Sequence, residues 1–274
     1  AGDAGALPLD IVSGSRRSTG IGTTEVRRFR AALERMPKRQ SRLDGMLRRL
    51  IRLGCRLVAW HVEVRVGHLP RDGGRPGAGC VVAVAPHRAW LEPFLLLAAW
   101  PPDAAKLVWL ADGPTVTRSW WRRRLLPRLG VIPITGHLAG PRAYADVAAQ
   151  TLAAGAALVV FPEVGPPSVP SEARRISPGF AYLACAAGAP VIPVAIGGTH
   201  HIVRGSSFSL DILDAIEVGS PAVEVFTPKT RVRAHDLSAT YTASIAEVLP
   251  ARAAWSDGRR PPRERWRWLG TLFS

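Results

Sequence analysis

The sequence is short of cysteine, lysine and long apolar runs, and each shortage removes a class of protein. Three cysteines occur in 274 residues, Cys55, Cys80 and Cys185, with no CxxC pair among them. That spacing argues against a disulfide framework or a cysteine-ligated zinc site, and it fits a reducing compartment. No stretch reaches about eighteen uninterrupted apolar residues, so no transmembrane helix is expected. Ala1 to Arg17 lacks an apolar segment of the kind a signal peptide carries, and none is expected there. Lysine is confined to Lys38, Lys106 and Lys229, so the net charge of +15 is carried almost wholly by arginine. Such a charge suits an anionic partner: nucleic acid, an acidic membrane surface or a phosphorylated substrate. A compositional bias that also enriches alanine, glycine and proline would produce the same arginines with no partner at all.

What is present is a chain that can fold. Hydrophobic residues make up 47% of it, enough for a sizeable core and too many for a disordered chain. The first 22 residues read as a loose tail rich in Gly, Ser and Ala. From residue 23 to about 61 the pattern is helical and breaks near Pro37. Leu43, Met46, Leu47, Leu50, Leu57 and Val58 fall on one face and Arg42, Arg49, Arg52 and Arg56 on the other. Such an amphipathic helix can lie in a membrane interface or pack on a domain with its arginines solvated. The period then changes to two. Val62, Val64 and Val66 alternate with Glu63 and Arg65, which predicts a half-buried strand.

Short apolar runs follow at 80–85, 107–110, 131–134, 157–161, 191–196 and 222–226. Helical patterns lie between several of them, at 93–100, 117–129, 141–154 and 178–187. This alternation predicts a single α/β domain over residues 23–255, with a mixed, largely parallel sheet flanked by helices and the amphipathic segment at its N-terminal end. Residues 256–274 read as a basic tail containing Trp266 and Trp268.

In open α/β sheets, sites gather at the carboxyl ends of strands. Three such ends carry unusual residues. At the first, His87 leaves an apolar strand, and Glu92 follows five positions later, before Pro93. A proline suits the first turn of a helix, and the helix dipole favours a carboxylate beside it. A carboxylate near an imidazole can hold its tautomer and stabilise its charged form, although a histidine that merely ends a strand has the same sequence. At the second, Phe161-Pro162-Glu163-Val164-Gly165 puts an acid and a glycine after a strand. At the third, Pro193 interrupts the apolar strand 191–196 and removes a ladder donor, which marks an edge, a bulge or the wall of a site.

In order and spacing these elements resemble the lysophosphatidate (1-acylglycerol-3-phosphate) acyltransferase family. The family's first block is a histidine, four residues and an aspartate; His87 and Glu92 match it with Glu for Asp. Gly130-Val131-Ile132-Pro133-Ile134 is similar to the second block. Phe161-Pro162-Glu163-Val164-Gly165-Pro166 resembles the third, which reads Phe-Pro-Glu-Gly-Thr-Arg in the family. Val191-Ile192-Pro193-Val194 resembles the fourth. The resemblance runs from about Val62 to Gly198. It implies transfer of a fatty acyl group from an acyl thioester, acyl-CoA or acyl carrier protein, to a hydroxyl of a lysophospholipid, lysophosphatidate first among them. His87 is then the general base and Glu92 its orienting partner. Phe161, Pro162, Glu163, Val164, Gly165 and Pro193 line the substrate site, and Arg174 and Arg175 are placed to meet phosphate. No cofactor and no metal are expected.

Two departures bear on the acceptor. The family's arginine after the second block is replaced by Thr135-Gly136-His137, and that of the third block by Pro166-Pro167. Arg118, Arg122, Arg123, Arg124, Arg128, Arg174 or Arg175 could substitute, or the acceptor could be another lipid or a glycolipid hydroxyl. A catalytically weak, lipid-binding relative would carry the same changes. Trp120 and Trp121 beside Arg122, Arg123 and Arg124 suit the headgroup layer of an anionic membrane or the phosphates of a CoA donor. A peripheral place on the cytoplasmic face of a membrane follows as an expectation. Nucleic acid is not an expected partner, since only charge speaks for it.

Overall fold

A computed structural model describes residues 45–46, 49–54, 59–72, 74–87, 91–112, 119–120, 126, 129–134, 141–164, 175–199, 206–222 and 227–257. In chain order the elements are β1 (Ala59–Val66), β2 (Arg71–Asp72), β3 (Arg75–Pro76), β4 (Val81–Ala85), α1 (Glu92–Ala99), β5 (Leu107–Asp112), β6 (Val131–Ile134), α2 (Pro141–Ala153), β7 (Ala157–Val160), β8 (Glu163–Val164), β9 (Arg175–Ile176), α3 (Gly179–Ala187), β10 (Val191–Gly197), β11 (Ser206–Ile212) and α4 (Pro228–Asp257). Seven strands form one sheet in the order β1-β11-β10-β4-β7-β5-β6. Within this sheet only β10 and β11 pair antiparallel, and the other five pairings are parallel; β2–β3 and β8–β9 form two small antiparallel pairs apart from it. The mixed, largely parallel sheet expected from the sequence is therefore the sheet observed.

The apolar runs are continuous because both faces of the central strands are covered. On one face Val82, Val84, Val159, Ile192, Val194 and Leu210 pack with Leu95, Leu96 and Trp100 of α1 and its end. On the other, Val81, Ala83, Leu158, Val191 and Ala195 pack with Ala148 of α2, Phe180 and Ala184 of α3, and Ala234, Leu237 and Tyr241 of α4. The result is three layers, with β4 and β10 at the centre of the sheet. Among the described residues no helix is long and apolar enough to cross a membrane.

Gly130 opens β6 at a φ of +88°, where a Cβ would collide with the Leu107 carbonyl oxygen. Its own carbonyl accepts from Trp109 N at 3.0 Å, which ties β6 to β5. Gly130→Ala is expected to cost about 1–3 kcal/mol through the disfavoured backbone conformation. Urea unfolding checks this, and an unchanged midpoint would remove the steric argument.

Several expectations need correction. The strand over Val62, Val64 and Val66 is present, but the valines are 36%, 40% and 48% exposed. Among the described residues their strand is the edge of the sheet and pairs with β11 alone. Glu63 is the residue turned inward, and Arg252 of α4 reaches it at 3.3 Å. Burial works against ionisation of Glu63, but the hydrogen bonds and charges of Arg65 and Arg252 outweigh it and hold the carboxyl below its ordinary range.

Pro193 lies on neither edge. It sits inside β10, between β11 and β4, where the β11 ladder stops: Leu213 N donates to the Pro193 carbonyl at 2.9 Å, and the next contact is the bridge of Val191 to Ile216. The missing donor falls in that interruption. The sequence reading also passed over β11 and α4, which has 30 residues. All but the first residue of the strand expected at 222–226, most of the helix expected at 117–129 and the tail 1–22 lie outside the described residues; of the tail expected at 256–274 only 256–257 are described, and they end α4. In the N-terminal segment, 45–46 and 49–54 are helical; Met46, Leu50 and Leu53 are exposed, while Ile51 packs on the domain and Arg52 Nε donates to the Ala98 carbonyl at 2.8 Å.

Candidate functional site

The parallel pairing of β4 with β7 and with β10 puts three carboxyl-end exits side by side. His87 follows β4, Glu163 follows β7, and Thr199 follows β10. From β4 the chain passes through a cis Ala85–Pro86 bond and presents His87, whose side chain is 45% exposed. Glu92 is the first residue of α1, with Pro93 behind it in the opening turn. Its carboxylate is fully buried.

A buried carboxylate is costly unless it is hydrogen-bonded, and this one is bonded at both oxygens. Oε2 stands 2.7 Å from His87 Nδ1, and Oε1 accepts from Thr199 Oγ1 at 2.8 Å. The positive end of the α1 dipole faces the same group. With an ionised Glu92 as acceptor, the imidazole proton belongs on Nδ1, and Nε2 is the nitrogen that can take a proton from a substrate.

Two further contacts fix the histidine. The Phe161 ring stacks on the imidazole with centroids 4.1 Å apart and planes inclined by 28°. The Glu163 carboxylate accepts from the His87 backbone N at 3.2 Å. The ring is thus held on one face by Phe161 and at Nδ1 by Glu92, and its backbone is held by Glu163. Such an arrangement can orient a general base toward an incoming hydroxyl.

A protein-family model described as Acyltransferase matches residues 62–197, a span that contains most of β1, strands β4, β5, β6, β7 and β10, and the His87–Glu92 pair. Over this span the chain carries a domain of the acyltransferase family. Among solved structures, the 1-acyl-sn-glycerophosphate (LPA) acyltransferase PlsC from Thermotoga maritima is similar, with 19% identity over 83% of this chain and 88% of that one and a TM-score of 0.49. No curated protein matches the sequence.

Within this acyltransferase the remaining candidates are distributed unevenly. Phe161, Pro162 and Glu163 lie at the exit of β7, beside His87. Val164 is half exposed and pairs in register with Arg175, whose side chain is exposed, so that arginine sits one strand away from the Glu163 exit. Pro193 is buried in the middle of β10, six residues before Thr199. Gly165 and Arg174 lie outside the described residues, as do Arg118, Arg122, Arg123, Arg124 and Arg128 and the replaced positions 135–137 and 166–167. Among the described residues no group of three or more His, Cys, Asp or Glu side chains could hold a metal ion.

The sequence reading missed Thr199. The Gly197-Gly198-Thr199 run after a buried strand was visible, and Gly198 takes a φ of +87° to make that exit. Nothing in a single sequence connects Thr199 to a carboxylate 107 residues earlier. Tyr241 was missed too. Its phenol is buried, and burial, then the nearby Glu163 charge, pushes its pKa well above the ordinary value; its ring packs on Phe180 at 4.8 Å.

Proposed function

We propose that this acyltransferase moves a fatty acyl group from acyl-CoA or an acyl carrier protein to a hydroxyl of a lysophospholipid, with lysophosphatidate as the first acceptor. The observation that carries the reading is the buried Glu92 carboxylate, bonded to His87 Nδ1, at strand ends inside the family match. In the proposed step the acceptor hydroxyl attacks the thioester carbonyl as His87 Nε2 takes its proton. Glu92 stabilises the resulting imidazolium. The tetrahedral intermediate then collapses, its C–S bond breaks, and His87 returns the proton to the leaving thiolate. The products are an ester and a free thiol. No cofactor takes part in this scheme.

Phe161, Pro162, Glu163, Val164 and Gly165 shape the substrate side of the site, together with Pro193. Arg174 and Arg175 supply the charge for an acceptor phosphate; the exposed Arg175 on β9 supports this. An anionic membrane surface, met peripherally from the cytoplasmic face, is the proposed setting. Met46, Leu50, Leu53 and the 71% exposed Trp120 give it support, since apolar side chains left in water favour an interface.

A second reading keeps the chemistry and changes the acceptor to another lipid or glycolipid hydroxyl. The replacement of two family arginines by Thr135-Gly136-His137 and Pro166-Pro167 favours it. A panel of acyl-CoAs and acyl carrier protein donors, with lysophosphatidate, other lysophospholipids and glycolipids as acceptors, separates the two. Thiol release that depends on lysophosphatidate is the expected result. Release with a phosphate-free acceptor alone selects the second reading. Liposome binding without turnover for any pair would leave a lipid-binding relative.

A further inference from the structure

We infer that Thr199 is a positioning residue for the catalytic pair, and that Thr199 and Glu92 are matched, so that a glutamate works here because threonine anchors its far oxygen. The inference rests on the reading of His87 as the base. Thr199 is 3% exposed and Glu92 0%, so their 2.8 Å hydrogen bond is screened from water. The terminal torsion of a glutamate is broad, and a contact to His87 alone would let the carboxylate plane turn. A second anchor on the opposite oxygen stops that rotation.

The anchor is itself rigid. Threonine is β-branched and stiff at χ1. Its backbone is placed by the end of β10, a strand buried along its whole length, and by the turn at Gly198. The carboxylate therefore bridges the exits of two adjacent parallel strands, from His87 after β4 to Thr199 after β10. An aspartate at position 92 would draw the carboxylate back by about one carbon–carbon bond, roughly 1.5 Å. It could then keep His87 or Thr199 but not both at hydrogen-bonding distance. On this account Glu92→Asp, although it restores the family's residue, lowers turnover, because a displacement of about 1 Å in a catalytic group can cost about 10²-fold.

The test combines turnover with a signature that needs no substrate. Thr199→Val removes the hydroxyl and keeps the shape. It is expected to lower kcat about 10- to 100-fold, the range for losing a hydrogen bond to a charged group, with KM little changed. Thr199→Ser is expected to recover most of that loss. In a Glu92→Ala background Thr199→Val should cost nothing further, because the group it positions is gone. In parallel, nitrogen NMR of ¹⁵N-histidine-labelled protein, with the His87 signal identified from its absence in His87→Ala, reads the imidazole tautomer. Wild type should hold the proton on Nδ1, and Thr199→Val should shift it toward Nε2. An equal loss of turnover from Thr199→Val with and without Glu92, or an unchanged tautomer in that variant, overturns the inference. If wild type turns over no donor and acceptor pair, the proposed function fails, and the tautomer arm still decides the role of Thr199.

Discussion

Replacing His87 by alanine is expected to lower kcat for acyl transfer by about 10²–10⁴-fold, the contribution typical of a positioned general base. The loss should fall on kcat because, in the proposed mechanism, the imidazole acts on the proton that moves in the transition state and binds little of the substrate. What remains comes from holding thioester and hydroxyl together. The fold should tolerate the change, since the His87 side chain is nearly half exposed. Steady-state kinetics on a variant with an unchanged unfolding midpoint check this. A drop confined to KM would assign His87 to binding.

Arg252→Ala should produce the largest loss of stability, about 3–5 kcal/mol, since it strands a buried charge. The Arg252 side chain is 8% exposed and that of Asp211 5%. Nη2 donates to Oδ1 at 2.6 Å, and Nε lies 2.5 Å from Oδ2, an ion-pair contact without hydrogen-bond geometry. Burial works against the arginine's charge, but the hydrogen bond and charge of Asp211, and then those of Glu63, outweigh it and raise its pKa. A raised arginine pKa gives stability present throughout the neutral range, below the unfolded value. The pH dependence comes from Glu63 instead. Its lowered pKa gives stability that is present above the ordinary glutamate value and lost as pH falls through the lowered one. Urea unfolding should therefore show a steeper acid loss in wild type than in Arg252→Ala. Replacing both partners, Asp211→Leu with Arg252→Leu, should recover part of the loss, because no lone charge is left buried. If Arg252→Ala unfolds at the wild-type midpoint, α4 is not anchored to the sheet through this pair.

The parts of the fold that sequence made legible share one property. Strands β4, β7 and β10 are buried on both faces, so each appears as an apolar run with turn residues at its ends. β11 was passed over although Ser206-Ser207-Phe208-Ser209-Leu210-Asp211-Ile212 alternates polar with apolar residues much as β1 does; unlike the apolar runs, its serines and aspartate do not show that all seven positions are buried. Its polar side holds Asp211, which Arg252 neutralises from the far end of the chain. β1 failed in the opposite sense: its valine alternation gave the strand correctly, but an edge position left the valines exposed. At the site, His87 and Glu92 were close enough in sequence to be read together. Thr199 and the stacking of Phe161 on His87 arise only when β4, β7 and β10 lie side by side. Local patterns report which strand ends a residue follows; which ends become neighbours is set by strand order.

The central claim is that His87 takes the acceptor's proton. Its most direct test is free-thiol release from an acyl thioester, with and without a lysophospholipid acceptor, by wild type and His87→Ala side by side. Acceptor-dependent release by wild type and its near-complete loss in a folded variant are expected. Equal acceptor-dependent release by both proteins would contradict it.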